Sequence, residues 1–367
     1  MSFLKNIQKK LGNPNASIVS EGIVGDLSGF IDTGSLLLNA VVSGSMYKGI
    51  PDNKVSLFCG PQGVGKSFLL LTMISQFLIK YPKATVIFFE SESAQRKELM
   101  EQFGVDITRV LFVPITTVQE LRTQALQSLE EYEKTFSVKE RNENKLFLCL
   151  DSLGNLSTSK ETEDSMAGKE TQDMTRAKLI KSTFRVLTLK LGILGVPFVS
   201  TNHIYMSQSL FPTAISSGGS GALYNSSMVC FLSKSKEKEG TEFVGNIIHC
   251  KLDKSRFTKE GSKVDISINF SRGLDRYYGI LDYLVKYNLV QSIGNKFLFP
   301  HLENTKVFRK AVVKDPEKYF TLELLKQLDV CLGKEFLYGT VLDNQQDNQL
   351  DEDSETEESE NVNSIDE

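Results

Sequence analysis

One stretch limits this chain more than any other. The octet Gly60-Pro61-Gln62-Gly63-Val64-Gly65-Lys66-Ser67 lies between the apolar run VSLFC (55–59) and the helical pattern SFLLLTMISQFLIK. It satisfies GxxxxGK[ST] in full, and strand, loop, helix is the context such a phosphate loop requires. Its glycines let backbone N–H groups turn inward as an anion nest. The helix starting near Lys66 adds the positive end of its dipole. Lys66 is then placed to reach the β- and γ-phosphates of a nucleotide, and Ser67 to offer its hydroxyl to Mg²⁺. Phe68 follows in the first helical turn and completes the nucleotide-binding set.

The surrounding chain predicts an α/β fold. TVIFF (85–89), LFLCLD (146–151), VPFVS (196–200), MVCFL (228–232) and NIIHCKL (246–252) read as further strands. Helical patterns follow several of them: SAQRKELMEQFG, TVQELRTQALQSLEEYEKTF and TQDMTRAKLIKSTFRVLTLKLG. Strands alternating with helices imply a mainly parallel central sheet covered on both faces. The divisions expected are an arm over 1–29, a core over 30–272, a small α+β unit over 273–342 and a tail over 343–367. The tail holds eleven Asp/Glu and no Lys or Arg, and is expected to be disordered.

A phosphate loop needs a carboxylate for its metal at the end of another strand. Asp151 closes LFLCLD and fits that role beside Ser67. Hydrolysis also needs a group that polarises water. Glu90 and Glu92 both follow the TVIFF strand, where an α/β sheet binds its ligand, and spacing alone does not choose between them.

Composition excludes several classes. No apolar run approaches the roughly 18 residues of a membrane span, and the charged start MSFLKNIQKKLGNPN has no secretory pattern. The expectation is a cytoplasmic protein without a membrane partner, in the host cytoplasm if phage-encoded. Five cysteines without a CxxC pair read as reduced core thiols, and three scattered histidines make no zinc site. Net charge is −4, but without the tail 42 basic face 35 acidic residues, a body of about +7. Such a split suits a polyanion-binding surface with an internal competitor, and equally a solubilising tail on dispersed charge.

With these residues in view, the segment from Ile31 through the phosphate loop to Phe68 resembles the start of the RecA core. DSLGNLSTSKETEDSMAGKETQDMTRAKLIKSTFRVLT is similar to the phage UvsX-type branch of those strand-exchange recombinases. The resemblance runs from about residue 30 to 300 and implies a RecA-type nucleotide-hydrolysing core that uses ATP and Mg²⁺. It implies that Glu92 activates the attacking water. It places His203, after Asn202, where RecA carries a γ-phosphate-sensing Gln; a neutral imidazole also donates one hydrogen bond. It implies that Lys254 and Arg256 reach the γ-phosphate of a neighbouring subunit across a filament interface. Leu99 stands where the bacterial proteins stack a Tyr on adenine, which leaves the preference for ATP over other nucleotides open.

The same resemblance explains the long polar stretch STNHIYMSQSLFPTAISSGGSGALY (200–224). It corresponds to the second of two DNA-binding loops lining a filament axis. The first falls near Ser159–Thr171, with Arg176 beyond it as an expected phosphate contact. In the second loop Gly218, Gly219 and Gly221 are expected to offer backbone N–H groups to phosphates. Met206, Leu210 or Phe211 is expected to wedge between bases. The function implied is an ATP-dependent homologous recombinase. It would polymerise on single-stranded DNA, then pair and exchange strands with homologous duplex DNA in recombination, repair and recombination-dependent replication. Expected partners are DNA, further copies of the chain, a single-stranded-DNA-binding protein and a loading mediator. The N-terminal arm is expected to dock on a neighbour through an apolar residue such as Phe3 or Leu4. Two alternatives share the motifs: another RecA-fold motor such as a helicase, expected to carry a separate N-terminal domain, and a filament or mediator protein that binds ATP with little hydrolysis.

Overall fold

A computed structural model describes residues 3–169, 175–206, 214–217, 219, 221–303 and 305–339. Its central sheet is built on the strand that feeds the phosphate loop, β1 (Val55–Gly60). The other strands on its path are β2 (Thr85–Glu90), β3 (Val110–Pro114), β4 (Leu146–Asp151), β5 (Phe198–Met206), β6 (Met228–Glu239), β7 (Glu242–Ser255), β8 (Lys263–Asn269) and β9 (Gly273–Leu274). Their spatial order is β9-β8-β7-β6-β1-β5-β4-β2-β3. From β6 to β3 every pair is parallel, and β7, β8 and β9 extend the sheet antiparallel. The mainly parallel α/β core expected from the strand–helix alternation is present. β1 and β4 are buried at every position, as continuous apolar runs in a doubly covered sheet should be.

Helices cover both faces. Lys66–Lys80 buries Leu69, Leu70, Met73, Ile74 and Phe77 on one side. Val118–Thr135 and Arg176–Leu194 bury Leu121, Ala125, Leu129, Phe184, Leu187 and Leu191 on the other. Thr117 fixes the start of Val118–Thr135 by a reciprocal capping box with Glu120, an arrangement whose loss costs about 0.5–2 kcal/mol. Helix Lys97–Gln102 is shorter than its sequence pattern, because Ser91–Ala94 are held in the turn described below. The strand β3 was not expected. It is an edge strand with Leu111 and Phe112 largely exposed, so it lacks the long buried run of its neighbours.

Residues 273–339 carry their own three-stranded sheet, Gln291–Ile293, Lys296–Leu298 and Lys306–Phe308. Their apolar side chains nevertheless join the main core, and helix Leu322–Phe336 packs on Leu36–Ser43. At the other end, helix Phe3–Leu11 buries no residue and exposes Phe3, Leu4 and Leu11 along one face. The acidic tail, 343–367, lies outside the described residues. No helix among the described residues is long and apolar enough to cross a membrane.

Candidate functional site

Parallel pairing brings four strand tips together. Gly60 of β1 is level with His203 of β5, and Glu90 of β2 is level with Asp151 of β4. A crevice outside the carboxyl ends of parallel strands is where such sheets bind ligands. The phosphate loop arches over this edge. Gly63 and Gly65 have φ of 67° and 99°, the left-handed region a side chain disfavours. Gly65 ends the loop, and Lys66 opens the helix.

Lys66 is buried, and its ammonium donates to the carbonyls of Gly60 and Pro61 at 3.0 Å each. Burial pulls this ammonium below the ordinary lysine range, while the Asp151 and Glu92 carboxylates oppose the shift. Its third contact is His203 Nδ1 at 3.4 Å. An ammonium only donates, so Nδ1 accepts and the imidazole proton resides on Nε2. Nε2–H then donates to Glu92 Oε1 at 2.7 Å, which also accepts from Ser152 Oγ at 2.6 Å. Burial raises the Glu92 carboxyl, but the Ser152 and His203 hydrogen bonds, with the nearby charge of Lys66, outweigh it. The group lies below its ordinary value.

The two glutamates left open by spacing are separated by their surroundings. Glu90 is buried, and its carboxylate accepts from the backbone N–H groups of Glu92, Ser93 and Ala94 at 3.0, 2.8 and 3.0 Å. It is occupied in shaping the turn that presents Glu92. Glu90→Ala strands three donors, and is expected to lower stability by about 2–3 kcal/mol, read as the shift in urea midpoint at constant slope. A loss within experimental error would show that the turn holds without it.

Asp151 is held on both oxygens. Oδ1 accepts from Thr201 Oγ1, and Oδ2 accepts from Gln95 Nε2 at 3.0 Å. Gln95 Oε1 is buried with no partner among the described residues. Such an orphan costs about 1–3 kcal/mol unless a donor arrives. The donor set fits a metal–nucleotide: an anion nest with a buried lysine, and a positioned carboxylate. Three groups here escaped the sequence reading: Gln95, Thr201, and Lys234 of β6, which donates to the Gly63 carbonyl at 2.5 Å. Ser67 is half-buried in the first helical turn, Val64 is buried beneath the loop, and Phe68 packs edge-on against Phe103 with centroids 4.4 Å apart. Leu99 is half-buried against the core.

The expected DNA-binding residues divide. β5 runs past the site and pairs antiparallel with Ala214–Ser216: Ile204 with Ser216, Tyr205 with Ile215, Met206 with Ala214. Asn202 Nδ2 donates to Ser217 O at 3.0 Å, and Ser217 N to His203 O at 2.9 Å. The second loop is therefore rooted on Asn202 and on His203, the residue that touches Lys66 and Glu92. Met206 ends the strand; Leu210, Phe211 and Gly218 lie outside the described residues. Gly219, at φ 79°, lies against Ala177. Gly221 is buried, and a Cβ on it would meet Lys181 Cα at 2.7 Å. Arg176 donates to the carbonyls of Leu156 and Gly154 at 2.7 Å each, so in this structure its guanidinium holds the 153–156 turn. Helix Ser159–Met166 occupies most of the first loop, and 170–174 are not among the described residues.

Lys254 and Arg256 are not at this site. Ser255 pairs with Met228, which is level with Ser56 near the start of β1. Lys254 Nζ donates to the carbonyls of Leu223 and Tyr224 at 2.9 and 2.7 Å, while Arg256 is exposed.

Fold and site together define an α/β nucleotide-binding protein of the phosphate-loop kind, whose γ-phosphate end is wired into a long polar loop. Sequence comparison narrows the class. The profile of the RecA N-terminal domain matches residues 1–275. The "Recombination and repair protein" of Enterobacteria phage T4 is 33% identical over 259 residues, which cover 71% of this chain and 64% of that one. The chain thus spans just under two thirds of that relative's length. "Protein RecA" of Borrelia duttonii (strain Ly) is 26% identical over 294 residues, 79% of this chain and 76% of that one. "Protein RecA" of Wolinella succinogenes is 24% identical over 317 residues, 84% and 85% of the two chains. The chain belongs to the RecA family.

Proposed function

We propose that this protein is a DNA-dependent ATPase that forms a filament on single-stranded DNA and catalyses homologous pairing and strand exchange. One observation carries the reading: the hydrogen-bonded path Lys66–His203–Glu92 passes through His203, which sits on the strand that runs toward the second loop. A γ-phosphate that takes Lys66 away from His203 alters the base of that loop, so nucleotide state and DNA grip are coupled. The backbone of 60–67 and the Lys66 ammonium hold the phosphates. Ser67 and Asp151 would hold Mg²⁺, which when bound would neutralise charge on the phosphate oxygens. Glu92, already ionised, accepts the proton of the water that attacks the γ-phosphorus. His203 keeps Glu92 oriented and donates from Nε2.

Self-association is supported by the apolar face of Phe3–Leu11, which finds no cover among the described residues. The exposed edge of β3, with Leu111 and Phe112, is a suitable surface on the next subunit. Duplex DNA, a single-stranded-DNA-binding protein, a loading mediator and a cytoplasmic location belong to the same reading. Pairing, not protein contacts to base edges, would supply sequence specificity.

The test is ATP hydrolysis measured against protein concentration, with and without single-stranded DNA. Strong stimulation, rising more steeply than first order in protein, is expected if neighbours on the strand complete each site. Hydrolysis indifferent to DNA would point to a different RecA-fold motor. Nucleotide binding without hydrolysis would point to ATP as a filament glue.

A further inference from the structure

Arg176 opens helix Arg176–Leu194, just beyond the first of the two loops. It is half-buried, and its guanidinium is turned inward. Nε donates to Leu156 O at 2.7 Å, and Nη2 donates to Gly154 O at 2.7 Å and Leu153 O at 3.4 Å. A planar fork of fixed donors suits the converging carbonyls of one tight turn. That turn reaches the hydrolytic centre at two points. It begins at Ser152, whose Oγ donates to Glu92 Oε1 at 2.6 Å and whose N and O are both bonded to Ser91 Oγ, at 2.9 and 2.7 Å. Its Gly154 lies against the root of the second loop: a Cβ there would meet Asn202 Oδ1 and His203 Cδ2 at 3.1 Å each. Leu153 and Leu156 are buried, so the turn is anchored in the core while Arg176 fastens its carbonyls.

We infer that Arg176 is a positioning residue for hydrolysis: it fixes the 153–156 turn against His203, and through Ser152 and His203 it sets the direction of Glu92. The first loop is thereby tied to the Glu92–His203 pair by a strut of its own, separate from the strand that ties the second loop to His203. Removing the guanidinium strands carbonyls that it now satisfies, and the turn loses its hold on the ring. A small misplacement of a reacting group, arising away from the chemistry, is enough to slow turnover. The role differs from that of a phosphate contact. A lost phosphate contact is overcome by adding DNA; a misdirected Glu92 is not. The inference rests on the DNA-dependent ATPase reading above.

The test uses full-length protein with substitutions at both ends of the strut. Arg176→Gln removes the fork. Gly154→Ala keeps Arg176 and pushes a methyl group toward His203, at a backbone outside the left-handed region. ATP hydrolysis is measured at single-stranded DNA concentrations that saturate binding in fluorescence anisotropy. Both variants are expected to lose about tenfold in kcat with KM for ATP unchanged. The double variant is expected to be no slower than the worse single one, because both act on one element. A second readout needs neither DNA nor nucleotide. The chain has three histidines, so their ring signals in histidine-labelled protein can be assigned by substitution and followed by NMR. The His203 signal is expected to shift in both variants, while that of His249, bonded to Asp265, stays in place. Full kcat in Arg176→Gln at saturating DNA, with the His203 signal unmoved, would make Arg176 a phosphate contact alone and overturn the inference. Gly154→Ala with wild-type kcat and ring signal also overturns it. Should Arg176→Gln fail to fold, Gly154→Ala decides. Wild-type protein that hydrolyses no ATP removes the reading beneath, and the ring signals then still show whether the strut holds His203.

Discussion

Glu92→Gln is expected to lower DNA-stimulated ATP hydrolysis by about 10²–10⁴-fold, the usual contribution of a positioned general base, with nucleotide and single-stranded DNA binding retained. The substitution is conservative in shape. The Gln side-chain oxygen can still accept from His203 Nε2 and Ser152 Oγ, as Glu92 Oε1 does at 2.7 and 2.6 Å. What disappears is the proton acceptor. Glu92 needs no adjustment to act at neutral pH. Its folded value lies below the ordinary 4.5, so the preference of its partners for the ion is fully present above that value and lost only as pH falls through the lower one. Glu90→Gln is the control. Glu90 accepts three backbone N–H groups, so its loss should reduce stability more than it changes turnover of the folded fraction. Single-turnover hydrolysis with bound nucleotide checked separately distinguishes the two. A Glu92→Gln protein turning over within a few-fold of wild type would remove this residue from the chemistry.

The parts legible in the sequence are those encoded locally. The octet 60–67 needs a strand before it and a helix after it, and the chain supplies both within a few residues. The place of Asp151 at a strand tip was legible because an acid terminates a fully buried apolar run. The choice between Glu90 and Glu92 was not local: both follow β2, and only the direction of the Glu90 carboxylate toward the backbone of 92–94 separates them. Distant contacts left no trace in spacing. Gln95 meets Asp151 across 56 positions and Lys234 meets Gly63 across 171. Residue type also left a second need unseen. An arginine and a glycine beside polar loops read as phosphate contacts, and Arg176 also satisfies the carbonyls of a turn while Gly221 lets two helices approach. Cations and glycines answer internal needs as readily as external ones, and sequence alone does not say which need came first.

Lys254→Ala with Arg256→Ala is expected to lower DNA-stimulated hydrolysis by about 10³-fold, at the low end for a cationic finger supplied in trans, and to leave nucleotide binding by single subunits unchanged. The position of the pair keeps it from its own phosphate loop, so the expected effect is one exerted in trans. Arg256 N donates to Ser227 O, and Ser227 N donates to Val55 O at the start of β1. The phosphate loop begins at Gly60, so a rise of about 3.3 Å per residue along β1 separates the pair from its own loop by roughly 16 Å. Burial, and then the like charge of Arg256, draw the Lys254 ammonium below its ordinary value. An opposing phosphate on a neighbour would relieve that repulsion. Lys254 also holds the carbonyls of Leu223 and Tyr224, so the double variant is read against a structural control. Arg256→Ala alone supplies it, because Arg256 is exposed and its removal strands no carbonyl. Mixing decides between action in cis and in trans. Glu92→Gln subunits keep the basic pair and lack the base; the double variant keeps the base and lacks the pair. Equal mixtures on single-stranded DNA are expected to recover roughly a quarter of the wild-type rate, the frequency of productive head-to-tail neighbours in a random filament. Mixtures no faster than the sum of their parts would rule out action in trans, and a double variant with wild-type turnover would return Lys254 and Arg256 to the role of a solvated edge.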